Sequence, residues 1–302
     1  MSRAGPLVPF CGDLPAIAEY IPARHSDVEM VSIRGLALAV RVWGKPDAPR
    51  IVMLHGGRDS SITFQFLVDE LAGEWQVIAP DWRGHGESAW APENYWFQDY
   101  IADLDALLEH YSPDQPVPLI GHSLGGNVAN VYSGVRPHRI SRLVSLDGFG
   151  IPPDDPSSAP ERICTWLDAV RSVRSSRSYP DLFAVVERLE RAHPRLNQAK
   201  LAFLARHWVV ANEDEGFRWR FDPKHWISFP TVHHFADWAA CFARVTAPVL
   251  WLASDNTYST EFITDRLRHF PIARYDRLAD TGHNLHHDAP AAVARMIESF
   301  LS

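Results

Sequence analysis

Residues 117 to 126 read Val117-Pro118-Leu119-Ile120-Gly121-His122-Ser123-Leu124-Gly125-Gly126. The apolar run closes at Ile120, and Leu124, Val128, Val131, Tyr132 and Val135 then recur at helical spacing, which predicts a strand, a tight turn and a helix. Ser123 stands at the apex of the turn. A serine on so sharp a reversal takes a strained backbone, and small neighbours such as Gly121 and Gly125 let strand and helix pass closely. The pattern marks Ser123 as a candidate nucleophile.

Three further segments follow strand-like runs or stand near the end of the chain. After Ile51-Val52-Met53-Leu54 comes His55-Gly56-Gly57, and after Val77-Ile78-Ala79-Pro80 comes Asp81-Trp82-Arg83-Gly84-His85-Gly86-Glu87-Ser88. Thr281-Gly282-His283-Asn284 precedes a last apolar stripe of Val293, Met296, Ile297, Phe300 and Leu301. With these four motifs in this order the sequence resembles the α/β-hydrolase superfamily over residues 28–302. The resemblance implies a serine, an acid and a histidine used in that chain order, with the histidine after the last strand.

Strand and helix patterns alternate along the chain. Val28 to Ile33 and Leu36 to Trp43 read as a hairpin turning at Arg34-Gly35, Phe64, Leu67, Val68 and Leu71 as one helix stripe, and Phe97, Tyr100, Ile101, Leu104, Leu107 and Leu108 as another. The expected fold is a doubly wound, mostly parallel, eight-stranded sheet with its site at the carboxyl ends of the strands. Alternation breaks between Leu143-Val144-Ser145-Leu146-Asp147 and Pro248-Val249-Leu250-Trp251-Leu252, where helix-like pieces fill 161–173, 181–192 and 196–211. This insertion resembles the helical cap of the family. The expected division is an N-terminal extension over 1–27, a core over 28–150 and 231–302, and a cap over 151–230. Trp166, Phe183, Phe203, Trp208, Phe217, Trp219, Phe221, Trp226 and Phe229 make the insertion rich in aromatics. Trp208 and Trp219 are the candidate pocket residues, for an apolar or aromatic ester, and most of these nine rings are expected to pack the insertion onto the core.

The chemistry implied is acyl transfer without a cofactor. Ser123 attacks, His283 takes its proton, and a carboxylate holds the imidazole. The resemblance places the oxyanion donors on the backbone N–H groups of Leu124 and Gly57. For the acid, the usual family slot after the seventh strand holds Thr257, while Asp255 stands two residues early and Asp147 ends the sixth strand. Register favours Asp147 over Asp255, because strand six is expected beside the serine's strand. His55, His122, Asp81, Arg83, Gly84, Gly86 and Ser88 are read as supports of loops and turns. His286 and His287 are read as capping or surface residues before the last helix. Carbon-carbon bond hydrolases, thioesterases, lactonases, cofactor-free peroxidases and a ligand-binding relative without turnover share the motif set. Dehalogenases and epoxide hydrolases are disfavoured, since they need a carboxylate where Ser123 stands.

Composition sets outer bounds. A content of 46% hydrophobic and 22% charged residues over 302 positions is that of a core-forming globular protein. A net charge of −8 argues against nucleic-acid or anionic-membrane partners. The three cysteines, Cys11, Cys164 and Cys241, are odd in number and lack metal spacing, which suits a reducing cytoplasm. The first residues contain no apolar signal region, and no window is long enough to span a bilayer. The pairs His233-His234 and His286-His287 have no carboxylate or cysteine at ligand spacing, so no metal is expected.

Overall fold

The computed structural model describes residues 19–150, 155–173, 175–212, 216–231, 234–255 and 257–302. Cys11, His233, Asn256 and the start of the loop after Gly150 lie outside the described residues. β1 (Ser26–Ile33) and β2 (Leu36–Trp43) form the expected antiparallel hairpin, turning through Arg34 and Gly35, both with positive φ. β3 (Arg50–Leu54) leads through a short 3-10 turn over Ser61–Phe64 to α1 (Gln65–Asp69), so the stripe read from Phe64 to Leu71 is two short pieces rather than one helix. β4 (Gln76–Pro80), α2 (Phe97–Tyr111), β5 (Val117–His122), α3 (Leu124–Val135) and β6 (Ile140–Leu146) follow.

After β6 the chain leaves the sheet for α4 (Ala159–Arg171), α5 (Leu182–Ala192) and α6 (Gln198–Trp208). The helix expected over 196–211 stops at Trp208, because Val209 to Asn212 is drawn into β7 (Val209–Asn212), which pairs antiparallel with β8 (Gly216–Trp219). The insertion has its own apolar centre, with Leu182, Val185, Val186 and Leu189 of α5 against Leu201 and Leu204 of α6. Phe66 of the core joins that cluster, and Tyr20 packs edge-on to Phe66 and Phe203. The described end of the N-terminal segment is therefore seated between core and insertion.

The chain returns through α7 (Phe235–Phe242), β9 (Val249–Ser254), α8 (Thr260–Leu267), β10 (Ala273–Leu278), α9 (Leu285–Asp288) and α10 (Pro290–Leu301). The large sheet has eight strands in the order β1-β2-β4-β3-β5-β6-β9-β10, parallel from β4 to β10. Side chains alternate across each strand, so Val52 and Leu54 join one buried layer with α2, α3 and α7, while Ile51 and Met53 join the other with α1 and α10. The strand order reverses direction at β3 and β5, which opens a crevice between the carboxyl ends of those two strands.

Candidate active site

Ser123 follows β5 with φ 51° and ψ −114°, a conformation that an L-residue holds only when its surroundings over-determine it. Two contacts supply that constraint. The Ser123 N–H donates to the Leu146 carbonyl at 2.9 Å, and the Gly125 N–H donates to the His55 carbonyl at 3.1 Å. A Cβ on Gly125 would overlap the Leu54 carbonyl oxygen, and one on Gly121 the Gly125 carbonyl oxygen, so both positions require glycine for close approach. The turn thus lifts the Ser123 hydroxyl clear of the sheet.

Asp147 occupies the equivalent position one strand over, also with positive φ, at 49°. Its Oδ1 accepts from the Ser254 N–H at 2.9 Å, and its Oδ2 from the Ser254 hydroxyl at 2.7 Å and from His283 Nδ1 at 3.1 Å. Burial pushes the Asp147 carboxyl up, but the hydrogen bonds from His283 and Ser254 outweigh it and leave the group below its ordinary value. A carboxylate only accepts, so His283 carries its proton on Nδ1. That leaves Nε2 to accept from the Ser123 hydroxyl, 2.9 Å away.

The two candidate acids are thereby separated. Ser254, the last residue of β9, aims its side chain at Asp147, and His283 Nδ1 bonds the Asp147 carboxylate and not that of Asp255. Among the described residues the hydrogen bonds of Asp255 run through the backbone alone, to the Thr281 carbonyl and from Arg277. Thr257 touches the Ser254 hydroxyl.

The loop carrying His283 is clamped from below. Thr281 Oγ1 donates to the Leu278 carbonyl at 2.8 Å, and the Gly282 N–H donates to Asp288 Oδ2 at 2.7 Å. His122 Nε2 lies 2.9 Å from the His283 carbonyl, which can only accept, so Nε2–H is the donor. Burial pushes the His122 imidazole down to about 3, and His55, bonded to the Gly56 carbonyl and to the Trp82 N–H, likewise to about 3. Asp81 accepts from the N–H groups of Ser61 and Glu87, and Arg83 forms a buried ion pair with Asp103 at 2.6 Å.

His286 and His287 overturn the sequence expectation. They are 0% and 1% exposed, on α9, with each Nε2 against Thr63 Oγ1 at 3.0 and 2.7 Å. The short helix turns both imidazoles inward under the His283 loop. Burial and the neighbouring histidines hold both well below the ordinary value. One group of possible metal ligands exists among the described residues: Asp59, His122 and His286, with ligand atoms within 4.8 Å of one another. Ligand atoms around a tetrahedral zinc stand roughly 3.4 Å apart, so the group would have to close to hold one.

Above Ser123 and His283 lies a cleft of about 1280 Å³. Gly57 stands at its floor, and the backbone N–H groups of Gly57 and Leu124 make no hydrogen bond among the described residues. Trp166, Trp208, Trp219, Phe221 and Trp226 form aromatic wall, whereas Phe183, Phe203, Phe217 and Phe229 lie elsewhere. More of the insertion's rings therefore face the cleft than composition suggested. The Trp208 indole N–H is buried with no hydrogen-bond partner among the described residues. Sequence reasoning missed Ser254, which braces Asp147, and Arg58 and Asp59, which line the cleft. The last two directly follow His55-Gly56-Gly57, and that adjacency was the available signal.

Residues 49–290 match the family described as alpha/beta hydrolase fold. A serine hydrolase-like protein of Danio rerio is 29% identical over 276 residues, covering 86% of this chain and 84% of that protein. Esterase YbfF of Escherichia coli is 27% identical over 266 residues, covering 83% and 92%. Among solved structures, the thioesterase domain from the curacin biosynthetic pathway has a TM-score of 0.83 at 25% identity, covering 91% of this chain and 99% of that one.

Proposed function

Since the chain belongs to the α/β-hydrolase family and is a hydrolase, we propose that it cleaves carboxylic esters through Ser123, His283 and Asp147, with residues 151–230 acting as a cap over the bound acyl group. The observation that carries this reading is the line of hydrogen bonds from the Ser123 hydroxyl to His283 Nε2 at 2.9 Å and from His283 Nδ1 to Asp147 at 3.1 Å. A serine alcohol is a weak nucleophile at neutral pH. His283 removes its proton as Oγ attacks the ester carbonyl carbon, and Asp147 stabilises the imidazolium that forms. The oxyanion of the tetrahedral intermediate accepts from the Leu124 and Gly57 N–H groups, each worth about 3 kcal/mol of barrier. His283 then returns its proton to the departing alkoxide, which leaves an acyl-enzyme on Ser123. Water, deprotonated by the same imidazole, releases the carboxylic acid.

The aromatic wall supports an apolar acyl or alcohol group as the bound portion. Unpaired Cys164 and Cys241 support a reducing, cytoplasmic setting. No helix among the described residues is long and apolar enough to cross a membrane.

The test is Ser123→Ala. Loss of the hydroxyl removes the nucleophile and little packing, so turnover of nitrophenyl esters and labelling by a fluorophosphonate both vanish while the melting temperature stays near that of the wild type. Ester hydrolysis at the wild-type rate by this variant would falsify the assignment.

A further inference from the structure

Arg58 is the residue after Gly57, and it is held at φ 58°, a left-handed conformation that arginine rarely adopts. Its backbone N–H donates to His85 Nε2 at 3.0 Å. Its guanidinium carbon lies 4.0 Å from the centroid of the Trp226 ring. Trp226 is 54% exposed, but the turn that carries it is anchored. It ends the short turn Pro223–Trp226, which begins after Asp222, and the Asp222 N–H donates to the Gly84 carbonyl at 2.8 Å while its carboxylate accepts from Tyr95 at 2.8 Å. Lys224 donates to the carbonyls of Ala91, Pro92 and Glu93, and His225 stacks between Tyr95 and His85.

Core loop and insertion thus fix one guanidinium across the cleft that holds Ser123. Stacking covers the face of the guanidinium and leaves its edge, with five N–H donors, open to a ligand. Those donors have no hydrogen bond, and the charge no ion pair, among the described residues. The nearby imidazoles of His85 and His225 are held neutral by burial, so they add no further positive charge beside Arg58. Two acids line the same cleft. Asp59 gives its carboxylate to the Ser60 N–H at 2.7 Å, and Asp168 sits on α4; neither lies within ion-pair distance of Arg58. Arg177, stacked on Tyr179, and Arg188, on α5, line the cleft as well and add to its positive field.

The geometry points to Arg58 as an anion-binding subsite, so that the acyl group taken by this enzyme carries a carboxylate beyond its ester carbonyl. One planar guanidinium matches one carboxylate in charge and in bidentate shape. Because Arg58 directly follows the candidate oxyanion donor Gly57, the carboxylate belongs on a short acyl chain, that of a dicarboxylic hemiester, with the apolar alcohol against the aromatic wall. The assignment rests on the serine-hydrolase reading.

Protection of Ser123 from a fluorophosphonate tests both readings without requiring turnover. The competitors are monomethyl glutarate and the neutral methyl hexanoate, and each is titrated against wild type, Arg58→Gln and Arg58→Lys. In the wild type the hemiester protects at a concentration lower by a factor of about ten or more, on the scale of one charge-assisted bidentate contact. Arg58→Gln removes that preference, Arg58→Lys keeps part of it, and high salt weakens it. Taking the ratio of the two competitors within each variant cancels any general loss from repacking the loop. Labelling of Ser123 with equal protection by both esters, or with a preference that survives Arg58→Gln, overturns the Arg58 assignment alone. Failure of the phosphonate to label Ser123 overturns the hydrolase mechanism itself, and the subsite with it.

Discussion

Asp147 and Asp255 are both aspartates at the carboxyl edge of the same sheet, and their surroundings give them different capacities. Three donated hydrogen bonds hold Asp147 ionised, one of them from the imidazole that faces Ser123, while among the described residues Asp255 contributes only backbone bonds. Asp147→Asn replaces an acceptor with a group that cannot stabilise an imidazolium and can impose the wrong tautomer. Turnover in Asp147→Asn is expected to fall by about 10⁴, the scale of the serine-protease precedent, whereas Asp255→Asn stays within about twofold. Steady-state kinetics on a nitrophenyl ester checks both. A collapse in Asp255→Asn alone would reverse the assignment. Ser254 adds a further dependence, since its hydroxyl and N–H both bond the Asp147 carboxylate.

At the scale of the element, the β5–α3 turn depends on how closely α3 crosses the ends of β3 and β5. Gly125 lies against the Leu54 and His55 carbonyls, which are backbone atoms that cannot rotate aside. Gly125→Ala must push the helix away from the sheet or strain the turn further, at a cost of about 3 kcal/mol or more. Chemical denaturation reads that cost directly, and a variant as stable as the wild type would show that the approach is looser than described. The same crowding explains why Ser123 keeps φ 51°: the helix start is fixed by contacts on both sides of it.

Across the whole molecule, buried neutral histidines link stability to pH. His55, His85, His122, His286 and His287 are each 0 to 2% exposed, and burial is the largest cause holding every one below 6.5, with His55 and His122 at about 3. Through these histidines the folded protein binds fewer protons than the unfolded chain between about pH 6.5 and about pH 3, while the Asp59 carboxyl, pushed up to about 7 by burial, works in the opposite sense. The histidine contribution is complete above that window and falls as pH drops through it, by about 1.4 kcal/mol per pH unit for each histidine, and the one opposing carboxyl offsets part of it. Five such groups approach the whole stability of a typical domain, about 5–15 kcal/mol, by about pH 5. The melting temperature is expected to drop by about 10 °C or more between about pH 7.5 and about pH 5. A flat profile over that range would mean that these imidazoles are hydrated or already charged.

Local sequence carried the parts of this protein that depend on neighbours in the chain. The apolar run ending at Ile120, the glycines flanking Ser123 and the helical repeat from Leu124 to Val135 specify a strand, a turn and a helix wherever they occur, and the alternation of such units leads to the parallel sheet. The Gly282-His283 motif likewise identified the imidazole that lies beside Ser123. Sequence could narrow the acid only to two positions, because spacing along the chain does not say which carboxylate the His283 loop meets; the pairing of β6 with β9 set Ser254 and His283 against Asp147. The same limit applied to His286 and His287, whose polar letters read as surface until α9 packed them against Thr63 and Phe64. The β7–β8 hairpin and the seat of Arg58 on Trp226 join residues with no shared local pattern. Chain order encodes period and turn chemistry; the direction in which a side chain points at the end of an element is set by what that element packs against.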